Sequence, residues 1–237
     1  MIKFCFNIFL ITGLFFCNLQ AQVKERSSSS YPYAGIGYSF VIFTDSKVSD
    51  IYPFLDFNNN SFLSEINPFF GVRINEKVAV ELSPSFVFTT AHSNKGFAFT
   101  QNNQTLYYLP SETSLFSLPI NFNVKVYPFT ADMLFFVSNI YFTGGGGPIY
   151  IKEKYTNYRY TNSNFTGFVD IQTAENSMWK AHYSMGVGYG SLSRFGYNFE
   201  VSYRLVPLSP DNQKPVVSSL ANNFNSVNLS ARITFNF

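Results

Sequence analysis

Charge is scarce in this chain, and cysteine is confined to one end of it. Asp, Glu, Lys and Arg make up 13% of the 237 residues, about half of the roughly 25% usual in a soluble domain. That is too little charge to coat a water-facing surface generously. The formal net charge is +2 and no Lys/Arg-rich run occurs, which excludes an electrostatic grip on nucleic acid. Both cysteines, Cys5 and Cys17, fall within the first 21 residues, so the remainder offers no disulfide, thiolate ligand or thiol nucleophile. The two histidines, His92 and His182, lie on different segments with no thiol partner, and neither a metal site nor a cofactor is expected. Long apolar runs are missing too: Phe4–Phe16 is shorter than the roughly 20 residues a membrane-spanning helix needs.

That short run suits a secretory signal. Lys3 precedes it, and the small residue Ala21 follows before Gln22, the order of a cleaved signal peptide. The expected organisation is a signal over 1–21, a short periplasmic leader over 22–32 and one β domain over 33–237. Without Lys3 the mature chain would carry 15 basic against 14 acidic residues. Cys17 follows Phe16, whereas the lipid-modified Cys of lipoprotein signals normally follows a small residue.

Aromatic residues, by contrast, are abundant at 19%, with 29 Phe and 16 Tyr, and they recur with a period of two, the mark of a strand. In the last segment Val227, Leu229, Ala231, Ile233, Phe235 and Phe237 oppose Asn228, Ser230, Arg232, Thr234 and Asn236. Ala34–Ile42, Glu65–Ile74, Lys77–Phe88, Ser117–Val126, Trp179–Gly190 and Tyr197–Leu205 alternate in the same way. The second and third of these flank Asn75 and Glu76 and predict a tight hairpin. Residues 133–154 must supply an eighth strand, but their alternation is mixed and fixes no register. Connections near 44–64, 90–113, 154–177 and 209–224 are expected to be long, and those near 75, 129 and 193 short. The pattern predicts an all-β, eight-stranded antiparallel up-and-down β-barrel.

Alternation does not say which face points inward. One face carries Gly35, Gly37, Gly186, Gly188 and Gly190 together with isolated charges of both signs, Arg73, Glu81, Lys125, Glu200, Arg204 and Arg232. Small residues and pairable charges suit a crowded interior. Aromatics gather near strand ends on the other face, as at bilayer interfaces. The expectation is a transmembrane barrel with a lipid-facing apolar band and an inward polar network of those six charged residues. The ending "ARITFNF", with Ala231, Ile233, Phe235 and Phe237 on one face, resembles the C-terminal signature of bacterial outer-membrane β-barrels. The mature chain as a whole is similar to small OmpA-like or porin-family barrels, especially the Asn- and aromatic-rich ones of Bacteroidota. That resemblance implies the cell outer membrane, contact with its lipids, and handling by periplasmic chaperones and the barrel assembly machinery, which would read the terminal strand.

The expected role is structural or a cell-surface interaction through the long Tyr- and Asn-rich loops. The alternative is a narrow channel for small solutes, because eight strands enclose little more than side chains. A distant alternative comes from "AHYSMG": His182 and Ser184, with Glu200 on the next strand, resemble the His-x-Ser pair and carboxylate of outer-membrane lipid A deacylases. There His would activate Ser and the carboxylate would orient His. Met185 stands where that family commonly has Asn, and parity sends His182 and Ser184 inward, away from lipid. "TGGGG", Thr143–Gly147, reads as a bulge or crowded interior and not as a phosphate cradle.

Overall fold

The alternating segments hydrogen-bond to one another in chain order, and the last returns to the first. In the computed structural model, residues 30–56, 61–91, 95–101, 104–129, 137–190, 195–211 and 213–237 are described. The segment expected as a signal over 1–21, the expected leader up to residue 29, and His92 lie outside them. The wall consists of β1 (Tyr31–Phe43), β2 (Ser64–Arg73), β3 (Val78–Pro84, continued as Phe86–Ala91), β4 (Gln104–Val126), β5 (Ile140–Tyr160), β6 (Phe168–Gly190), β7 (Phe195–Leu205) and β8 (Ser226–Asn236). Each is antiparallel to its neighbours, and β1 pairs with both β2 and β8, for example Gly35 with Phe69 and with Thr234. The sheet is therefore a ring of eight strands with no free edge.

Two local features follow from single residues. Asn75 makes the β2–β3 turn, its Oδ1 accepting from the backbone N–H groups of Lys77 at 2.8 Å and Val78 at 2.9 Å. Pro84 has no N–H to give the ladder, and β3 breaks there. Ser85 N donates to Pro119 O at 2.8 Å before pairing with β2 resumes at Phe86 and Ile66.

The faces divide as the alternation requires. Ile36, Phe70, Phe122, Phe142, Trp179, Val187 and Ile233 point outward and are exposed, while Ser39, Asn67, Glu81, Asn121, Lys125, Asn198 and Asn228 point inward and are buried. Aromatic rings form a row at one level of the outer wall, with centroids 4.8 Å apart for Phe88–Phe116, 6.1 Å for Phe116–Tyr150 and 5.2 Å for Tyr150–Trp179. At the opposite end Phe195 packs edge-on against Phe235 at 4.9 Å. A closed sheet with an apolar exterior between two aromatic levels is what a bilayer demands, because hydrocarbon offers backbone amides no partner.

Three strands run further than their sequence alternation suggests. Beyond the Phe116–Tyr150–Trp179 row the pattern inverts: Leu115, Ile149, Ile151, Tyr155 and Ala174 are buried inside, while Lys152 and Glu175 pair at 2.9 Å on the outside. The wall has left hydrocarbon there, so charge moves outward and apolar side chains turn in. Residues 154–177, expected as a loop, are largely the upper parts of β5 and β6, joined by a turn over 161–167. Likewise 104–113 belong to β4, and Gln104–Tyr108 of them pair with a short strand, Phe97–Gln101. The connection expected to be short near 129 runs from Val126 to Ile140, and 130–136 of it lie outside the described residues.

The TGGGG run is part of β5, with no bulge at Gly144–Gly147 in its pairing to β6. Crowding explains Gly145, Gly146 and Gly147 but not Gly144, where a Cβ would meet nothing within 4 Å: on Gly145 it would stand 2.1 Å from the Phe122 carbonyl oxygen on β4. Backbone cannot yield there without opening the ladder. Gly145→Val is expected to destabilise the barrel by about 1–3 kcal/mol or more. The reading is the urea midpoint at which the heat-sensitive, fast-migrating folded band is lost in micelles; an unchanged midpoint contradicts the close approach.

Candidate functional site, the barrel lumen and its mouth

Parity brings five of the six inward charges together, each beside an oppositely charged partner. Glu81 of β3 accepts from Lys125 of β4 at 2.7 Å, from Arg232 of β8 at 2.6 Å and from the Tyr33 hydroxyl at 3.2 Å. Glu200 of β7 stands 3.9 Å from Arg232 and accepts from the Tyr141 hydroxyl at 3.0 Å. Two acids and two bases thus form one neutral cluster from four strands. A second pair that the sequence reading missed is bidentate: Arg204 donates to both oxygens of Glu65 at 2.9 and 3.0 Å. Glu65 shared the polar parity of Arg73, so its inward direction was available, but not its partner across the lumen. Arg73 stays apart from the acids and lies over the Tyr127 ring at 4.1 Å.

Inward aromatics fill the space between these groups. Arg232 rests 3.9 Å over the Phe69 ring, and Lys125 5.0 Å from that of Tyr141. Tyr141 fits because Gly188 lies beside it, where a Cβ would stand 2.3 Å from the ring. Between the two ion-pair groups lies a polar cavity of about 30 Å³ lined by Glu65, Asn67, Asn121, Glu200, Arg204 and Arg232, among others. That is room for about two waters.

The proposed His182–Ser184–Glu200 constellation is not assembled. His182 is buried, and its Nε2 donates to Asn121 Oδ1 at 2.7 Å. Ser184 instead donates to Asn123 Oδ1 at 3.3 Å. Glu200 pairs across the ladder with Gly188, six positions from His182 and so about 20 Å along the strand. Sequence adjacency of β6 and β7 put the carboxylate on the next strand, but the ladder register put it at the wrong height. Among the described residues no group of three or more His, Cys, Asp or Glu side chains could hold a metal.

The mouth is closed by different chemistry. A short helix, α1 (Ser46–Ile51), is capped by Asp45, whose side chain accepts from Lys47 N at 2.9 Å. It buries Val48 and Ile51, which join Tyr52, Leu63, Val87, Leu115, Ile149, Ile151, Val206, Val216, Val217 and Phe224 in one apolar cluster. Residues 206–208 and 216–224 thereby fold back into the barrel top. Glu153 of β5 is buried within this plug, accepting from the hydroxyls of Tyr52 at 2.9 Å and Tyr155 at 3.1 Å and from Ser218 N at 2.9 Å. It lies above the aromatic row, outside the membrane-spanning part, and burial raises its carboxyl pKa above the ordinary value. No sequence signal had singled it out, because "IKEKY" reads as mixed polarity.

The terminal strand presents Ala231, Ile233, Phe235 and Phe237 on its outer face, all exposed. Phe237 N donates to Pro32 O at 3.0 Å, fastening the last residue to β1.

The architecture is that of an outer-membrane β-barrel, with an apolar wall, a side-chain-filled lumen and a capped mouth. No family model matches the chain, and no curated protein matches it in sequence. It is similar in structure to Ail, the attachment invasion locus protein of Yersinia pestis, solved in complex with the heparin analogue sucrose octasulfate, at 12% identity and a TM-score of 0.43 over 88% of this chain and 97% of that one. Neisserial surface protein A gives 12% and 0.37 over 90% and 100%. OprG of Pseudomonas aeruginosa gives 14% and 0.35 over 90% and 97%. At such identities and TM-scores these likenesses assign nothing further to the chain.

Removing one member of a buried, paired charge cluster strands its partners. Glu81→Ala is expected to lower stability by about 3–5 kcal/mol, measured by equilibrium urea unfolding in lipid vesicles. A loss below about 1 kcal/mol would mean that Lys125 and Arg232 find other partners.

Proposed function

We propose that this barrel is a closed, non-enzymatic outer-membrane protein with a structural or cell-surface interaction role, and that it does not serve solute passage. The observation that carries this reading is the filled lumen. The Glu81–Lys125–Arg232–Glu200 cluster and the Arg204–Glu65 pair cross it at two heights, and the apolar plug with α1 covers the mouth. A solute would have to part ion pairs held in a space that fits about two waters.

What remains accessible is the blade formed by the upper parts of β4, β5 and β6. From the Lys152–Glu175 pair to the end of β5 at Tyr160 it rises by about 25 Å of strand, and it exposes Tyr158, Phe168 and Ile171. Rings held on a rigid sheet lose little entropy on contact, which suits them to recognition. Insertion would proceed through periplasmic chaperones and the barrel assembly machinery, with the outward row Ala231, Ile233, Phe235 and Phe237 as the segment that is read. The lipids of the outer membrane are the wall's solvent.

Planar-bilayer recording tests the closed lumen: the reading expects no discrete current steps, and reproducible single-channel steps would return the narrow channel to first place. Removing residues 162–166 from the blade tip is expected to leave insertion intact and to lower adhesion of cells displaying the protein. Undiminished adhesion would contradict the surface role of the blade.

A further inference from the structure

The buried carboxylates of Glu65 and Glu81 each face a cation, but that of Glu153 does not. It is 0% exposed, and no ion pair involves it among the described residues. Its three donors come from three parts of the chain: Tyr52 directly after α1, Tyr155 on its own strand, and Ser218 in the segment 206–224. Both plug segments are thus tied to the wall through one side chain.

The surroundings leave that side chain alone in the titration. From α1 and its flank only Tyr52 faces it. On β4 its cross-strand partner is Leu115, and on β6 it is Asn176. Asn176 binds the Ser218 hydroxyl at 3.1 Å and receives Lys214 at 3.4 Å. Lys152 and Lys154 share its strand but point to the outside, where Glu175 holds Lys152. Lys180 lies on the inner face of β6, four positions below Asn176.

We propose that Glu153 is a proton-operated latch: with its carboxyl neutral, the segments 46–52 and 213–224 are seated in the mouth, and ionisation releases them. The sign follows from burial. The closed plug raises the carboxyl pKa through desolvation, against the smaller opposing effect of its hydrogen bonds, whereas in an open plug the group meets water. Closure is therefore favoured fully below the ordinary carboxylate range and weakens as pH rises through the raised value. Each unit between the two values is worth about tenfold in the closed-to-open ratio. Release exposes the top of the lumen but leaves the ion pairs beneath in place. The latch can therefore fail without touching the closed-lumen reading, and the reverse also holds.

The mature chain has no cysteine of its own if the signal is removed, so paired spin labels can be placed at will. Labels at Gln213→Cys in the plug and Lys77→Cys in the turn at the far end report plug height by pulsed electron resonance in lipid nanodiscs. Wild type is expected to show one narrow distance at about pH 4 and a growing longer component by about pH 8. Glu153→Gln, neutral at all pH, should keep the narrow distance throughout. An unchanged wild-type distance, or a Glu153→Gln response equal to wild type, overturns the latch. Should Glu153→Gln not fold, Tyr52→Phe serves instead. It keeps the ring and removes a donor to the ionised form, so its longer component should be larger than wild type at about pH 8; an equal response overturns the proposal.

Discussion

A peptide group in hydrocarbon has no water to fall back on, and this constraint organises the molecule. Every backbone N–H and C=O in the membrane must find a partner within the sheet. The pairing of β1 with both β2 and β8 removes the edge that an open sheet would leave. Once the ring is closed at eight strands, its diameter follows, and an interior of that size must be filled by side chains. Alternation then sends one residue in two into that confined space, and the chemistry of the lumen is set by what fits there.

Confinement explains the company that residues keep. Glycine on one strand makes room for a ring on the next, as Gly188 does for Tyr141. The rings lie against guanidinium and ammonium groups, as Phe69 does under Arg232. The inward acids of the spanning part, Glu65, Glu81 and Glu200, each meet a cation, because an unpaired buried ion is far costlier than a paired one. Above the aromatic row the solvent changes, and the preferences reverse. Lys152 and Glu175 meet on the outside, while Ile149, Ile151 and Leu115 turn inward against the plug.

That reversal also explains what could be read from the amino acids and what could not. Within the bilayer, Phe122, Val124 and Val126 against Asn121, Asn123 and Lys125 gave strand, face and inward charges directly. In β5 the two polarity rules meet inside one strand, so Ile149–Tyr155 shows neither alternation cleanly, and its register and length were hidden. The outer parts of β4 and β6 were taken for loops for the same reason. Partners across the lumen were also out of reach. Parity says that Glu65 and Arg204 both point inward, but only the stagger of the ladder decides that they meet and that Glu200 lies far from His182. The plug was hidden because Val48, Ile51 and Tyr52 sit among loop-like polar residues, and their burial depends on a segment more than 150 residues away.

The account stands on the apolar face meeting lipid and the polar face meeting the lumen. Nitroxide labels placed singly at Phe122, Val124, Asn123 and Lys125 in vesicle-inserted protein measure this through their collision rates with oxygen, which concentrates in lipid, and with a water-soluble nickel chelate. The expected result is strict alternation, with high oxygen and low nickel access at Phe122 and Val124, and low access to both at Asn123 and Lys125. Uniform nickel access at Phe122 and Val124 would mean that the apolar face meets water, and that the barrel does not span the membrane.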